Sequence, residues 1–382
     1  MDSRKRIRTH SHLKKILWLS WRDIKNPDGG GAEKVAIEVA SRFVKDGIKV
    51  TLFTSKFPGA KYKEDIKGVK VIRRGGLITC RLFAFIYYVG RKDEFDLIID
   101  EINTLPFFTP LYARKKALTL IHQLAREYWF LEVIFPLNII GYLLEPIYLR
   151  IYKNQPIIAL GKSTTSDLRK LGFEKVTTYL PGIDFKPKIT SEKEDLLVFI
   201  GRLTPAKNAL DAVLAFKTIQ QKLPYAKLAI IGSGKSSYID KIKSHITEFK
   251  LQKSVKLLGF VKDQKKKTLL EKAKIILIPA VREGWSLVAT EANALGCIPI
   301  GYKVPGLTDS IKEGFNGLLV KSNPQDLAQA AVNLLTNETL RTKFAENGYN
   351  WSKQFSWEEC YKYIKQYIHK VYAQKTLQVI RK

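Results

Sequence analysis

The sequence predicts an α/β protein of two doubly wound domains, each built on a parallel sheet. Short apolar runs alternate with helical patterns along the 382 residues, and this order of elements builds such sheets. The alternation forms two series, separated by the turn Pro181-Gly182 and a polar stretch at 186–195. The length also suits two domains. We therefore predict an N-terminal domain at 1–187, a C-terminal domain at 188–356, and a terminal helix at 357–382 that braces the first domain.

The elements follow in order along both series. The first has predicted strands at 16–20, 50–53, 69–72, 97–99, 118–121, 157–160 and 176–180, and helices at 32–45 and 162–171. The second has strands at 196–200, 228–231, 255–258, 275–278 and 298–300, and helices at 209–222, 238–249, 264–273, 286–295 and 324–335. The strands are short apolar runs, as in sheets covered on both faces, whereas the longer segments between them show helical spacing.

The charge balance is strongly basic. The chain carries 65 Lys and Arg against 36 Asp and Glu, which gives a formal net charge of +29. This charge attracts polyanions, a class that includes nucleic acid, anionic lipid surfaces and phosphorylated substrates. The net charge indicates a class of partner but not a fold. We expect most of the charged side chains to lie on the solvated surface.

The cysteines and the N-terminus indicate a reducing, cytoplasmic setting. Cys80, Cys297 and Cys360 are far apart, odd in number and outside any C-x-x-C pattern, so we expect no disulfide framework. The five histidines lack the spacing of a metal-binding pair. Residues 1–15 are polar and basic, without an apolar core of signal-peptide length.

The longest apolar stretch covers residues 128–152, and it has two interpretations. Polar residues and prolines interrupt it, which argues against a membrane-spanning helix. Its aromatic and aliphatic content, between Arg126 on one side and Arg150 and Lys153 on the other, suits a segment lying in a membrane interface. Two buried helices of an α/β domain are the alternative.

Two carboxylates seven residues apart, Glu283 and Glu291, bracket a turn and a helix start in the run E-G-W-S-L-V-A-T-E. The amide groups of Ser286, Leu287 and Val288 would point at an anion, with the positive end of the helix dipole behind them. Eight helical residues span about 12 Å, so the carboxylates cannot form one acid/base pair. They suit the two ends of an extended ligand such as a sugar–diphosphate–nucleoside.

Arg202 and Lys207 bracket the turn after the first strand of the second domain, which is where α/β sheets bind ligands. A planar guanidinium and a point-charge ammonium both suit a diphosphate. Taken alone, the motif is equally compatible with two surface cations. Its presence in the same domain as Glu283 and Glu291 favours the binding role.

Three weaker signals also lie at strand ends. Gly30 and Gly31 open the first helix and permit close approach of a phosphate or sugar, although the spacing is not that of a dinucleotide fingerprint. Gly232 lies in I-G-S-G-K, which lacks P-loop spacing and reads better as a tight turn beside a nucleoside pocket. His122 ends the strand 118–121, where a side chain reaches the crevice, but a lone histidine is more often structural.

Together these motifs resemble the GT4 family of retaining, nucleotide-sugar-dependent glycosyltransferases with the GT-B architecture. The resemblance covers nearly the whole chain. It rests on G-G-A-E at 30–33, His122, P-G-I-D at 181–184, G-R-L-x-x-x-K-N at 201–208, E-G-W-S-L-V-A-T-E-A at 283–292, the turn at 301–307 and N-G-L-L-V at 316–320. The C-terminal motifs are specific, whereas the glycine loop is not.

The resemblance implies two Rossmann-like domains that face each other across a cleft, with the nucleotide sugar on the C-terminal domain and the acceptor on the N-terminal one. Arg202 and Lys207 would neutralise the diphosphate, Glu283 would contact sugar hydroxyls, and Glu291 the ribose. The amides of Ser286, Leu287 and Val288, with Gly284 in the same turn and Gly232 nearby, would complete the donor site. His122 would lie beside the reacting sugar and form the catalytic group with Glu283, Arg202 and Lys207. Gly30 and Gly31 would lie near the donor phosphates.

The expected reaction retains the anomeric configuration and needs neither cofactor nor metal, since cations of the chain offset the leaving charge. Asp100-Glu101 is interpreted as cleft lining or structure. The pair Trp285-Ser286 replaces the Phe-Gly of many relatives, which leaves the sugar undetermined. The donor would be of UDP or GDP type.

The acceptor is the least determined part of the prediction. The basic charge, the aromatic-basic stretch 81–92 and the segment 128–152 favour a glycan or lipid-linked sugar at the cytoplasmic face of an anionic membrane. One alternative is a nucleic-acid-binding protein, or a glycosyltransferase that acts on nucleic acid or protein, although no nucleic-acid-binding module is visible. Another is a nucleotide-sugar epimerase of the same architecture.

Overall fold

The structure is a computed structural model that describes residues 13–190 and 192–380, with side chains up to residue 371. Of the basic tail predicted at 1–15, only residues 13–15 are described, and the last two residues of the predicted terminal helix also lie outside this range. Two parallel sheets, of eight and six strands, carry the two halves of the chain.

The first domain contains the larger sheet. Its strands are β1 (Lys15–Leu19), β2 (Lys49–Thr54), β3 (Lys63–Ile66), β4 (Val69–Arg73), β5 (Leu97–Ile102), β6 (Ala117–Ile121), β7 (Ile157–Leu160) and β8 (Val176–Tyr179). Its helices are α1 (Gly31–Lys45), α2 (Thr79–Val89), α3 (Thr109–Tyr112), α4 (Tyr128–Glu132), α5 (Leu137–Leu149) and α6 (Gly161–Lys170). The strand order is β3-β4-β2-β1-β5-β6-β7-β8, and β3 alone pairs antiparallel.

The second domain repeats this arrangement on a smaller scale. Its strands are β9 (Glu194–Ile200), β10 (Lys227–Ile231), β11 (Val255–Gly259), β12 (Ala273–Ile278), β13 (Ile298–Tyr302) and β14 (Leu318–Val320), in the order β11-β10-β9-β12-β13-β14. Its helices are α7 (Ala209–Lys222), α8 (Ser236–Glu248), α9 (Asp263–Lys272), α10 (Leu287–Ala294), α11 (Leu307–Ser310), α12 (Pro324–Thr336) and α13 (Glu338–Ser352).

Each sheet begins in its middle. Strand β1 lies between β2 and β5, and β9 lies between β10 and β12. The connections on the two sides of the central strand therefore run in opposite directions. A crevice opens between them at the carboxyl ends of these strands. The glycine loop follows β1 and the Arg202–Lys207 turn follows β9. The topology thus places both motifs at the crevice of their own sheet.

The last helix, α14 (Trp357–Ile380), returns to the first domain and packs on α1. The Tyr361 ring lies edge-on to Phe43 at 4.9 Å, and its hydroxyl donates to Asp46 at 2.5 Å. Where the helix begins, the Trp357 indole donates to Asp184 at 2.7 Å. A Cβ on Gly182 would lie 2.2 Å from the Trp357 amide nitrogen, so the two segments that cross between the domains touch each other.

The predicted fold class is confirmed, and the elements that the sequence missed are explained by their composition. Strand β3 is K-E-D-I, an edge strand without an apolar run, and helix α13 is largely polar. Helix α2 is almost wholly apolar and so lacks the polar face that marks a surface helix, while α3, α11 and β14 are only three or four residues long. For residues 128–152, the interpretation as two buried helices is wrong, because most apolar side chains of α5 are exposed.

Candidate active site in the interdomain cleft

A cavity of about 900 Å³ lies between the two domains, at the carboxyl ends of the central strands. Both domains line it. The first contributes the glycine loop and His122, and the second contributes the Arg202–Lys207 turn and the residues between Glu283 and Glu291. All the site residues predicted from the sequence therefore face one cavity. Its volume is that of a small-molecule site.

Lys207 and Glu283 form an ion pair in this cavity, with the ammonium 2.5 Å from the carboxylate. Burial lowers the pKa of Lys207, but the charge and hydrogen bond of Glu283 together with the nearby Tyr128 outweigh burial, and the net pKa is raised. The environment therefore favours the charged ammonium. Arg202 lines the same cavity from the start of the turn.

Helix α10 begins between the two carboxylates. Ser286 caps it, and the Ser286 hydroxyl accepts from the Ala289 amide at 3.4 Å. The amides of Leu287 and Val288 therefore belong to the first turn, where helix N–H groups lack an intrahelical acceptor and favour an anion. Both residues line the cavity.

Two glycines make these turns possible. A Cβ at Gly232 would lie 1.8 Å from the Gly201 carbonyl, so only glycine lets β10 end so close to the Arg202 turn. Gly284 lies against the other domain, since its Cβ would lie 2.2 Å from the His122 carbonyl oxygen. Gly284 therefore sets how closely the two walls of the cleft approach.

Trp285 lines the cavity, but most of its side chain packs into the core and only 7% of it is exposed. Its ring stacks on Trp351 at 6.1 Å and packs on Phe355 at 5.4 Å, while its indole donates to Thr290 at 2.9 Å. The side chain is buried in the core that joins α10 to the C-terminal helices. Trp285 therefore anchors the Glu283–Glu291 segment.

Glu291 is buried and paired with Lys266, whose ammonium lies 3.0 and 3.1 Å from the two carboxylate oxygens. Burial raises the pKa of the Glu291 carboxyl, and the Lys266 charge opposes this shift without cancelling it. Lys266 comes from α9 and also lies over the Phe185 ring at 5.0 Å. The Glu291 carboxylate therefore lines the cavity as one half of an ion pair with Lys266.

The glycine loop is held by Glu33, whose carboxylate accepts from the Gly30 amide at 2.7 Å and from the Arg22 guanidinium at 3.1 Å. Gly31 approaches the second domain, since a Cβ there would lie 3.2 Å from Leu287. Burial lowers the pKa of Arg22, Glu33 opposes this, and the positive charge of Arg202 lowers it further. Two guanidiniums, one from each domain, therefore face the same cavity.

His122 is buried, and both ring nitrogens have partners. Nε2 lies 2.9 Å from the Glu101 carboxylate, and Nδ1 lies 3.0 Å from the Tyr179 hydroxyl. Glu101 also accepts from the Trp18 indole at 2.6 Å. The ring is fixed in one orientation at the cleft wall. The neighbouring Asp100 accepts four hydrogen bonds from residues of its own domain and is structural.

The domains meet beside the cavity through polar contacts that are partly or fully buried. Arg282 of the second domain pairs with Glu127 at 3.0 Å and with Asp167, while its carbonyl accepts from the Tyr128 hydroxyl at 3.0 Å. On the other side, Asp309 accepts from the Ser163 amide at 2.8 Å. These contacts hold the cleft at a defined width.

Sequence reasoning did not identify Arg22, Lys266 or Tyr128 as lining the site. Arg22 had a signal, since it stands between β1 and the glycine loop. Lys266 is one of four lysines within six residues, and nothing local distinguishes it. Tyr128 lies in the apolar segment and reaches the site only because α4 packs across the cleft.

Comparisons with known proteins agree with this geometry. Residues 183–351 match the family described as Glycosyl transferases group 1. An uncharacterized glycosyltransferase of Methanocaldococcus jannaschii is 33% identical over 164 residues, which cover 43% of this chain and 44% of that protein. The chain spans about a third to a half of the length of the curated relatives it matches.

Two solved structures share the fold over nearly the whole chain. Sucrose-phosphate synthase from Thermosynechococcus elongatus has a TM-score of 0.79 at 19% identity, covering 94% of this chain and 100% of that one. Anabaena HepE in complex with UDP-glucose has a TM-score of 0.74 at 19% identity, covering 93% and 99%. The chain therefore has the GT-B fold. Over residues 183–351 its sequence matches the glycosyl transferases group 1 family.

Proposed function

We propose that this protein is a retaining hexosyltransferase that moves a sugar from a nucleoside-diphosphate sugar to a membrane-associated acceptor. The observation that carries the proposal is the group formed by Arg202, the Lys207–Glu283 pair and the first turn of α10, all on one wall of the cavity. A diphosphate is the ligand that two cations and a helix N-terminus favour together.

In this proposal the second domain binds the donor. Arg202, Lys207 and the amides of Leu287 and Val288 hold the diphosphate. Glu283 accepts from sugar hydroxyls on one side, and Glu291 accepts from the ribose on the other. The extended shape of a nucleotide sugar matches this order of groups along the wall. UDP-glucose bound to the structurally similar Anabaena protein supports a UDP-type donor.

In the chemical step the bond between the anomeric carbon and the diphosphate oxygen breaks, and its electron pair leaves on that oxygen. An acceptor hydroxyl forms the new bond to the anomeric carbon, and its proton goes to the departing diphosphate. Lys207, Arg202 and the helix terminus offset that charge as it develops, which is the electrostatic role that often dominates catalysis. We propose that these groups make a divalent metal unnecessary. Transfer should then persist when a chelator is added, and a loss of activity that Mg²⁺ or Mn²⁺ restores would contradict this.

The acceptor would enter from the first domain, past His122 and the glycine loop. Because Glu101 and Tyr179 hold the His122 ring, we assign it a positioning role beside the sugar. A lipid-linked sugar at the cytoplasmic face of a membrane fits the excess of cations and the apolar helices of this domain.

A thermal-shift screen with a panel of nucleotide sugars tests the donor, because a bound ligand stabilises the folded state by mass action. One UDP- or GDP-sugar should raise the midpoint, and the Lys207→Ala variant should lose that shift. The anomeric configuration of the product then tests retention. Epimerised sugar nucleotide without transfer to any acceptor would instead favour the epimerase alternative.

A further inference from the structure

The first domain exposes apolar side chains on one side to an unusual degree. Eighteen of the twenty-six exposed large hydrophobic residues in the described part of the chain lie between Leu77 and Ile151. Monomeric proteins rarely expose a contiguous apolar patch beyond roughly 300–600 Å² unless it has a role. This concentration therefore needs an explanation.

The exposed residues follow a helical spacing. On α2 they are Leu82, Phe85, Ile86 and Val89, with Leu77 and Ile78 just before the helix, and on α5 they are Leu137, Ile139, Ile140, Tyr142, Leu143, Leu144 and Ile147. An ordinary surface helix turns its polar face outward, whereas these two turn apolar stripes outward. Between Val133 and Leu149 the one acidic or basic residue, Glu145, faces inward and accepts from the Ala125 and Arg126 amides.

The two helices lie on one side of the domain, because both contact the segment that leads into α3. Arg81 of α2 donates to the Leu105 carbonyl at 2.7 Å, and Tyr148 of α5 donates to the Thr104 carbonyl at 3.0 Å. Phe85 of α2 packs on Tyr112 of α3 at 5.1 Å. Leu111 of α3 is itself exposed. We call the exposed apolar residues of α2, α3 and α5 the apolar surface.

Basic side chains border this surface. Exposed cations next to these helices include Arg74, Arg91, Lys92, Arg114, Arg150 and Lys153, and they outnumber the exposed acidic residues there, Asp93, Glu94 and Glu132. Glu94, one of the two exposed acidic residues after α2, already lies 3.7 Å from Lys15 and 4.0 Å from Arg91. An apolar surface with a cationic border is complementary to an anionic bilayer. Two copies packed on this face would bring like charges together, which disfavours a dimer.

Resting on the proposed function, we propose that the apolar surface docks on an anionic lipid bilayer, with α2 and α5 lying in the plane of the interface. Helix α5 has 13 residues, and a span of the bilayer takes about 20. In the described chain, no helix is long and apolar enough to cross a membrane.

The docking orientation would place the cleft at the membrane. Helix α4 packs on α5 through Trp129, whose ring would lie 2.3 Å from a Cβ on Gly141. The same helix lines the cavity through Tyr128 and Trp129. One side of this helical pair therefore faces the cavity while the other is exposed. A sugar carried on a lipid head group would reach the first domain without leaving the bilayer.

Flotation of the full chain with vesicles tests the inference, comparing phosphatidylcholine alone with phosphatidylcholine plus phosphatidylglycerol. We expect binding to the anionic vesicles, and at least about a tenfold loss in Ile86→Glu and Leu143→Glu, because each replaces a membrane-buried apolar group by a carboxylate. The matched control is Tyr225→Glu, an exposed residue of the second domain, which should float like the wild type.

Unchanged flotation of Ile86→Glu and Leu143→Glu would overturn the proposal. So would a wild-type dimer that these variants convert to a monomer while vesicles bind neither form, since the surface would then join two copies. The thermal shift with UDP-glucose is measured in parallel and should be the same in all variants. Flotation without any nucleotide-sugar shift would support the docking surface and contradict the proposed donor site.

Discussion

The Lys207 ammonium lies 2.5 Å from the Glu283 carboxylate, and the two side chains are only 20% and 12% exposed. Each charge is thus compensated by the other inside the cleft. The pair connects the turn after β9 to the segment before α10, which are the two places where the second sheet offers its ligand site. The pair stabilises the fold, and we propose that it also acts in catalysis. Measurements of the free energy of unfolding and of turnover separate these two effects.

Lys207→Ala should lower transfer turnover about 100- to 1,000-fold, the loss seen when one charge-stabilising group is removed. It should also lower the free energy of unfolding by about 1 to 3 kcal/mol, between the values for exposed and buried ion pairs, because Glu283 loses its partner. The double variant Lys207→Ala/Glu283→Gln should recover much of the stability and none of the turnover. Near-wild-type transfer in Lys207→Ala would refute the assignment.

Arg22→Ala should weaken UDP-glucose binding about tenfold or more, the usual range for a charge-assisted hydrogen bond. The reason is that its guanidinium faces the cavity from the first domain, opposite Arg202. Arg22→Lys should retain part of the affinity. Titration calorimetry measures both variants, with the exposed Arg169→Ala as control. Equal affinity in Arg22→Ala and the wild type would mean that Arg22 serves only Glu33 and the glycine loop.

Donor binding should weaken on acidification because of Glu291. Burial raises the pKa of this carboxyl above its usual range, and the ionised form is the one that accepts from ribose hydroxyls. Affinity is therefore full above the raised pKa and falls as pH drops through it. UDP-glucose is the suitable probe, since its diphosphate diester does not titrate in that range. Glu291→Gln should bind UDP-glucose more weakly, and its affinity should no longer fall as the pH drops. If the fall in affinity were unchanged in this variant, another group would be its cause.

Gly284→Ala should lower turnover by a larger factor than it weakens UDP-glucose binding. The added Cβ would lie 2.2 Å from the His122 carbonyl, so the walls of the cleft must move apart. Transfer needs both walls, whereas most of the proposed donor contacts belong to the second domain and only Arg22 and the glycine loop belong to the first. Steady-state kinetics and calorimetry together separate the two effects. Gly90→Ala is the control, since its Cβ would meet nothing closer than 3.6 Å. A parallel loss of affinity would show that the donor site itself was disturbed.

The sequence predicted the two sheets well because strand and helix differ in apolar period, and it located the second-domain motifs because they follow strands. It did not predict which way Trp285 faces, since a residue in a turn can point to either side. Nor did it reveal Lys266 or Arg22, whose importance depends on packing between distant segments. The environment of α5 was ambiguous for a similar reason, because an apolar helix has the same sequence pattern whether protein or lipid covers it.

The contact between Gly182 and Trp357 has a mechanical consequence. The chain passes between the domains twice, and the two passages touch at this point. Two adjacent connections favour rotation about the line through them. Opening the cleft would break the Arg282 and Asp309 contacts between the domains, whereas twisting would also pull the Trp357 indole from Asp184. Every opening then returns the two halves of the site to the same alignment.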